Sequence, residues 1–315
     1  MDKMAENERD LSPVIGMLAA VLAISTGSLF IRLMQAEVPP LVIALYRLGI
    51  SSLILLPFAL LRGDEIARLD RRQWLLLLLG SLGLALHFVT WISSLRYTSV
   101  LRSVVFVNTS PLWVAILSPI VLKEAVLRRT KIGLGLALLG MLLAAASGVV
   151  QITGGEIVWQ GFQGSAGSQP ILGSFLAMLG AWSATVFLMV GRKLRSNLSL
   201  LPYTFLLYGM AAVLVLGMVM LTRQPIGGYS RMTYVWLAGI ALIPQLLGHS
   251  LANWALKYAS AAYVAVLLLG EPVGASLLAL IFLREVPGAV EMIGAGVILA
   301  GIYVVTKNGG QSIRD

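Results

Sequence analysis

The sequence predicts an all-α integral membrane protein of ten transmembrane helices, arranged as two inverted five-helix repeats around a central cavity. Three observations carry this expectation. Hydrophobic residues make up 58% of the 315-residue chain and charged residues only 12%, about half the roughly 25% charge of a soluble domain. Apolar runs of ~20 residues, the length that crosses ~30 Å of hydrocarbon, follow one another back to back. The second half of the chain also repeats the first.

The N-terminal Met1–Asp10 is short and mixed in charge. The apolar run after it is longer than a signal-peptide core and no small-residue cleavage site follows, so it reads as a retained first span. Candidate spans are Pro13–Met34, Pro40–Leu61, Gln73–Ser94, Val100–Val121 and Lys131–Val150, then Pro170–Val190, Leu201–Leu221, Met232–Trp254, Ala261–Leu283 and Pro287–Thr306. Several begin at or beside a proline, which the first turn of a helix tolerates. Between the fifth and sixth lies QITGGEIVWQGFQGSAGSQ (Gln151–Gln169), rich in Gly, Ser and Gln and free of Lys and Arg. It reads as a linker. The expected division is a first repeat at 13–150, an extracytoplasmic linker at 151–169 and a second repeat at 170–306.

Lys and Arg set the orientation. With the N-terminus in the cytoplasm, sixteen of the 23 basic residues fall on the cytoplasmic side, six outside, and Arg47 within a span. Both termini are then cytoplasmic, in a multi-pass protein of the cell inner membrane. The net charge of +9 follows from topology and attraction to anionic lipid heads, so no nucleic-acid partner is expected. The absence of cysteine excludes a disulfide framework, thiolate metal sites and a cysteine nucleophile.

Shifting the chain by 161 residues aligns the last three spans of each half without a gap. Leu95, Tyr97, Ser99 and Pro111 meet Leu256, Tyr258, Ser260 and Pro272. Lys123-Glu124 meets Arg284-Glu285, and Gly133, Gly135 and Gly140 meet Gly294, Gly296 and Gly301. The first spans align at a shift of 157, with Gly16 on Gly173, Ala20 on Ala177 and Phe30 on Phe187. Five is odd, so the second copy enters the membrane from the opposite side. Inverted repeats are a device of secondary transporters, which bind substrate near mid-membrane between the repeats. The glycines are expected to let helices approach closely.

The ten spans, the repeat, and the stretches PLWVAILSPIVLKE (Pro111–Glu124) and EPVGASLLALIFLRE (Glu271–Glu285) resemble the EamA-type transporters of the drug/metabolite transporter superfamily. The resemblance covers Pro13 to Thr306. It implies ten helices, cytoplasmic termini, a central cavity and alternating access. Known members move amino acids, drugs or other metabolites, often outward, and many are proton-coupled or exchangers. Leu101-Arg102 departs from the pattern, standing where small residues are usual.

Polar groups at membrane depth are costly and usually face a cavity or a partner. In span three, His87, Trp91 and Ser94 share one helical face. In span eight, Gln245, His249 and Asn253 form one polar stripe at i, i+4 and i+8. The repeat shift puts His87 one residue from His249, so both rings lie at comparable heights. Asn108 in span four sits one turn from Pro111. These six (His87, Trp91, Asn108, Gln245, His249 and Asn253) are the candidate substrate contacts. The plainer reading of each is an interhelical hydrogen bond or core filling. Glu271, beside Pro272 near the middle of span nine, is the candidate proton-coupling or gating acid. Pro272 removes a helix hydrogen bond and kinks the span. Arg47 in span two is its candidate partner, or attracts an anionic substrate group; pairing with a carbonyl or snorkelling to the interface are the structural alternatives. Glu124 and Glu285, beside basic residues at span ends, read as caps of the following spans.

No metalloprotease, phosphate-loop or nucleophile-elbow motif is present, and the loops are too short for a nucleotide-binding domain. The chain therefore reads as a secondary transporter rather than an enzyme: an exporter of a small metabolite such as an amino acid or amphipathic drug, without cofactor or metal. Its partners are a small-molecule substrate and the bilayer, and it is a monomer or homodimer. Uptake or exchange is the alternative in the same class, and a lipid-modifying enzyme the alternative in another.

Overall fold

The computed structural model describes residues 13–98, 100–146, 150–153, 156–159, 169–284 and 288–307. Among them, ten helical segments are long and apolar enough to cross a membrane. Span one is α1 (Pro13–Met34) and span two is α2 (Pro40–Leu60). A short α3 (Gly63–Ala67) leads to span three, α4 (Arg71–Ser94). Span four comprises α5 (Val100–Val107) and α6 (Ser110–Leu117), and span five is α7 (Arg128–Ala146). Spans six and seven are α8 (Pro170–Arg195) and α9 (Leu200–Leu221). Span eight joins α10 (Arg231–Ile240) to α11 (Ser250–Tyr258). Span nine comprises α12 (Ala261–Leu268) and α13 (Glu271–Leu278), and span ten is α14 (Ala289–Thr306).

Local chemistry explains where several spans begin. Pro40 and Pro170 open spans two and six, where a first-turn N–H has no intrahelical partner to lose. Span three starts with a capping box. Asp70 Oδ1 accepts from Gln73 N at 2.7 Å, and Gln73 Oε1 accepts from Asp70 N at 2.9 Å. Ser230 and Ser260 accept from Thr233 N and Tyr263 N to cap spans eight and nine.

The packing pattern has a two-fold character. Span five packs most extensively on span ten, span two on seven, three on six, and one on eight; span four lies beside six, and nine beside one. Replacing every span by its repeat mate returns the same set. Two pairs, five–ten and two–seven, map onto themselves. With five crossings per repeat, mates run in opposite directions, as the odd count requires.

The five–ten interface is a glycine contact. A Cβ on Gly140 would lie 2.6 Å from Gly294 O, and one on Gly301 2.6 Å from Gly133 O. The backbones approach as closely as small residues permit. Gly135 and Gly296 differ from expectation: a Cβ on either meets nothing within 4 Å. Their alternate spacing turns them away from the seam.

The linker holds more structure than its composition suggests. β1 (Val150–Thr153) pairs antiparallel with β2 (Glu156–Trp159), Val150 opposite Trp159. The β-branched residues Val150, Ile152, Ile157 and Val158 favour strand, so this hairpin is the exception to the helical class. The readings placed on 1–12, Ser99, residues 160–168, Glu285, Pro287 and Arg314 lie outside the described residues.

The two repeats share a further detail. Span four is interrupted at Asn108-Thr109 and span nine at Leu269-Gly270. After each interruption comes a half-helix with proline as its second residue, then a π-helical stretch, Ser118–Leu122 and Ala279–Leu283. Lys123 and Arg284 follow with φ of 58° and 56°. Every one of these boundaries obeys the 161-residue shift. Pro111 and Pro272 have no N–H to return to the carbonyls four residues back, so each span breaks where its proline cannot continue the ladder. The sequence predicts the kink at Pro272; the interruption of span four is the additional finding.

Candidate functional site

The breaks of spans four and nine place Asn108 and Glu271 beside helix ends in mid-span, the local arrangement that discontinuous transporter helices use. Glu271 is the first residue of α13. Its main-chain carbonyl accepts from Ser25 Oγ of span one at 3.0 Å. Its half-buried carboxylate forms no hydrogen bond or ion pair among the described residues, although it interacts electrostatically with Arg47.

Arg47 is 2% exposed. A lone arginine at mid-membrane costs about 3 kcal/mol on insertion scales, so it needs partners. Its Nε donates to Gln245 Oε1 of span eight at 2.6 Å, and its guanidinium lies 4.0 Å from the centroid of Phe88 in span three. Of the alternatives open to Arg47, an ion pair with Glu271 is not formed among the described residues; this amide and aromatic contact serves it instead. Tyr46, its neighbour, instead reaches the loop before span eight, donating to Ile226 O at 2.9 Å.

Span eight positions Gln245 and His249 through an unusual backbone. Residues Ala241–His249 are π-helical and include Pro244. π-helical turns are rare and frequent at functional sites. Here Ser51 Oγ of span two satisfies the Ala241 carbonyl at 2.8 Å while also bonding Arg47 O at 2.7 Å. The stripe expected in the sequence is real but serves different neighbours. Gln245 holds Arg47. The His249 ring stands edge-on to Phe88 at 5.5 Å and 6.5 Å from Phe187, with no hydrogen bond among the described residues. Asn253 Nδ2 donates to Tyr208 OH of span seven at 3.3 Å, and its main-chain carbonyl accepts from Arg195 Nε at 3.1 Å.

His87 contacts Gly180 O of span six through Nδ1 at 3.0 Å. A carbonyl can only accept, so Nδ1 carries the proton and Nε2 is left as an acceptor. The ring stacks on Trp91 with centroids 6.0 Å apart and an interplanar angle of 12°. His87 thus makes the interhelical bond of its plainer reading and still lies in the aromatic group of Phe88, Trp91, Phe187 and His249. Phe187 is 6.5 Å from both histidines and joins them.

Several buried polar atoms of this cluster have no partner among the described residues: Trp91 Nε1, Gln245 Nε2 and Asn253 Oδ1. Buried polar groups are nearly always bonded, so these atoms are open to a partner; others of the kind, among them Ser81 Oγ, Ser118 Oγ and Tyr203 OH, lie elsewhere in the bundle. Gln245, Asn253 and His249 are buried, whereas His87, Trp91, Asn108 and Glu271 remain partly accessible. Sequence reasoning missed Phe88, Phe187 and Tyr208. The hydroxyl of Tyr208 in an otherwise apolar span was the signal for one of them; the phenylalanines carried none.

Glu124 corrects another expectation. Rather than capping span five, its Oε1 pairs with Arg192 Nε of span six at 2.5 Å.

Residues 11–146 and 171–307 each match the EamA-like transporter family. The chain belongs to that family. Two proteins of Archaeoglobus fulgidus, both described as uncharacterized transporters, are 22% and 24% identical over 294 and 295 residues. Those alignments cover 92% of this chain and 96% and 94% of the relatives. A solved crystal structure superimposes with a TM-score of 0.76 at 17% identity, covering 95% of this chain and 98% of that one. It establishes the fold alone. This EamA-like protein is accordingly a multi-pass membrane transporter, with a small-molecule substrate and the lipid bilayer as its surroundings.

Proposed function

We propose that this EamA-like transporter is a secondary active exporter of a small metabolite, such as an amino acid or an amphipathic drug, working by alternating access with Glu271 cycling a proton. The observation that carries the reading is the mid-span convergence of incompletely partnered polar groups from both repeats: Arg47 and Trp91 from the first, Gln245, His249, Asn253 and Glu271 from the second. A site at a pseudo-two-fold junction can be exposed to either face as the repeats rock. His87, Trp91, Asn108, Gln245, His249 and Asn253 contact substrate in this reading; Glu271 and Arg47 serve coupling. The 13–150 and 170–306 repeats are the moving units. The polar cluster lies in mid-span, away from the interfaces where lipid headgroups would present a reacting bond, so no catalytic role is assigned. The basic-residue count supports an inner-membrane protein with both termini cytoplasmic.

A thermal-shift screen of purified protein against amino acids, nucleosides, vitamins and cationic drugs supplies a ligand for the test. In liposomes, Glu271→Gln is expected to abolish transport driven by an imposed pH gradient while preserving part of substrate exchange. His249→Ala and Asn253→Ala are expected to weaken ligand binding without loss of folded protein. Unchanged gradient-driven transport in the Glu271 variant removes proton coupling. Wild-type affinity in both other variants removes the site.

A further inference from the structure

We infer that the transported ligand carries a carboxylate and that Arg47 and Gln245 hold it; this rests on the reading of the mid-span cluster as the substrate site. The geometry of one side-chain pair points there. Gln245 Oε1 accepts from Arg47 Nε at 2.6 Å, which fixes the orientation of the amide by its bond. The opposite end of the amide, Nε2, is buried with no acceptor at hydrogen-bond distance among the described residues, although it interacts with the Tyr208 hydroxyl. Among the described residues, Nε carries the only hydrogen bond that Arg47 donates, and no acid lies within ion-pair distance of its guanidinium. Arg47 Nη1 faces Gly27 of span one, 3.8 Å from where a Cβ would stand.

The pair therefore presents two guanidinium nitrogens and one amide nitrogen, all donors, in a setting that is 2% exposed at Arg47 and 0% at Gln245. Guanidinium has no acceptor capacity. At this pair a cationic group would meet a positive charge and only donors. A neutral carbonyl would occupy some donors and leave the guanidinium fork without an ion pair. A carboxylate does both, since its two oxygens match the guanidinium fork in one plane. Glu271 interacts electrostatically with Arg47 but forms no ion pair with it among the described residues, so the guanidinium fork is free for a ligand. A singly charged carboxylate matches the one guanidinium charge; a doubly charged phosphate exceeds it. The guanidinium lies 4.0 Å from the Phe88 centroid, Phe88 is 5.0 Å from His87, and His87 is 6.0 Å from Trp91; this row of rings offers an apolar surface to the rest of the ligand.

The experiment is a thermal-shift and binding series on the purified full-length protein. Its probes are matched pairs differing only at the carboxyl: each L-amino acid, 3-phenylpropionate and benzoate, each beside its primary amide, with inorganic phosphate as a further probe. In at least one pair the acid is expected to stabilise the protein and the amide not. Arg47→Gln should weaken that acid by at least about tenfold, the loss expected for a hydrogen bond to a charged group. Because Arg47→Gln removes a buried charge and can disturb folding, Gln245→Ala provides a second reading. It should weaken the acid several-fold while keeping the preference for acid over amide. Equal stabilisation by acid and amide, a phosphate effect matching the acid's, or acid affinity unchanged in both variants overturns the inference and leaves the transport reading standing. No stabilisation by any probe overturns the inference; a ligand of another class whose affinity His249→Ala and Asn253→Ala leave unchanged overturns the assignment of the cluster as substrate site as well.

Discussion

Arg192 donates Nε to Glu124 and Nη1 to the carbonyls of Leu256 and Lys257 at 2.8 and 3.2 Å. One side chain thereby ties together the ends of spans four, six and eight. Cations near helix C-termini satisfy carbonyls that lack intrahelical donors, so the contact with span eight is favourable apart from the ion pair. The pair is about a quarter exposed on each side, and screening holds its contribution near 1 kcal/mol. Glu124→Gln is expected to lower the melting temperature by a few degrees. The exchange Glu124→Arg with Arg192→Glu should recover part of that loss; no recovery would show that the carbonyl contacts, and not the ion pair, matter. The sequence placed Glu124 and Arg192 on the same membrane face and no more. Their pairing spans 68 residues and depends on how span six leans on span four, which no local pattern encodes. The same limit applies to Arg47. Its depth was legible, and so was its need for a partner, but the choice of Gln245 over Glu271 follows from the π-helical course of span eight.

At the scale of elements, glycine position separates packing from mere composition. Gly140→Ala drives a Cβ to 2.6 Å from both Gly294 O and Ile298 N, an overpacking expected to cost about 1–3 kcal/mol. Gly135→Ala and Gly296→Ala face open space and should leave stability unchanged or raise it by up to ~1 kcal/mol through helix propensity. Thermal melts of the three variants in the same detergent check the contrast, and equal destabilisation of all three would refute the seam as described. Sequence reasoning grouped these glycines because the repeat aligned them all. Helical phase, with Gly133 and Gly140 seven apart and Gly135 off that line, distinguishes them. The existence and order of the ten spans were legible because hydrocarbon thickness imposes a length that sequence displays directly. The backbone interruptions were legible only through their prolines. The π-helical stretch of span eight contains Pro244, a signal that lay in the sequence without indicating which irregularity it would produce.

For the whole molecule, the distribution of Lys and Arg gives an orientation that the absence of cysteine makes simple to test. A single introduced thiol is the only one present. Gln169→Cys and Arg68→Cys both fall at exposed positions, on opposite sides of the expected topology. A membrane-impermeant maleimide should label the first in intact cells and the second only after permeabilisation; the reverse pattern would invert the assignment. The two-fold character of the bundle was already visible in the 161-residue register, since an odd repeat leaves no other way to insert. The interruptions at Asn108-Thr109 and Leu269-Gly270 also carry a history. A feature found at the same register in both copies is most simply inherited from the single five-helix ancestor, before the gene doubled. That ancestor had half of this junction, so completing it required a second chain inserted upside down. The π-helical stretch at 241–249 has no counterpart at 80–88, where span three is regular α-helix. The repeat therefore governs the broken spans four and nine, and the site's remaining irregularity is carried by one half alone.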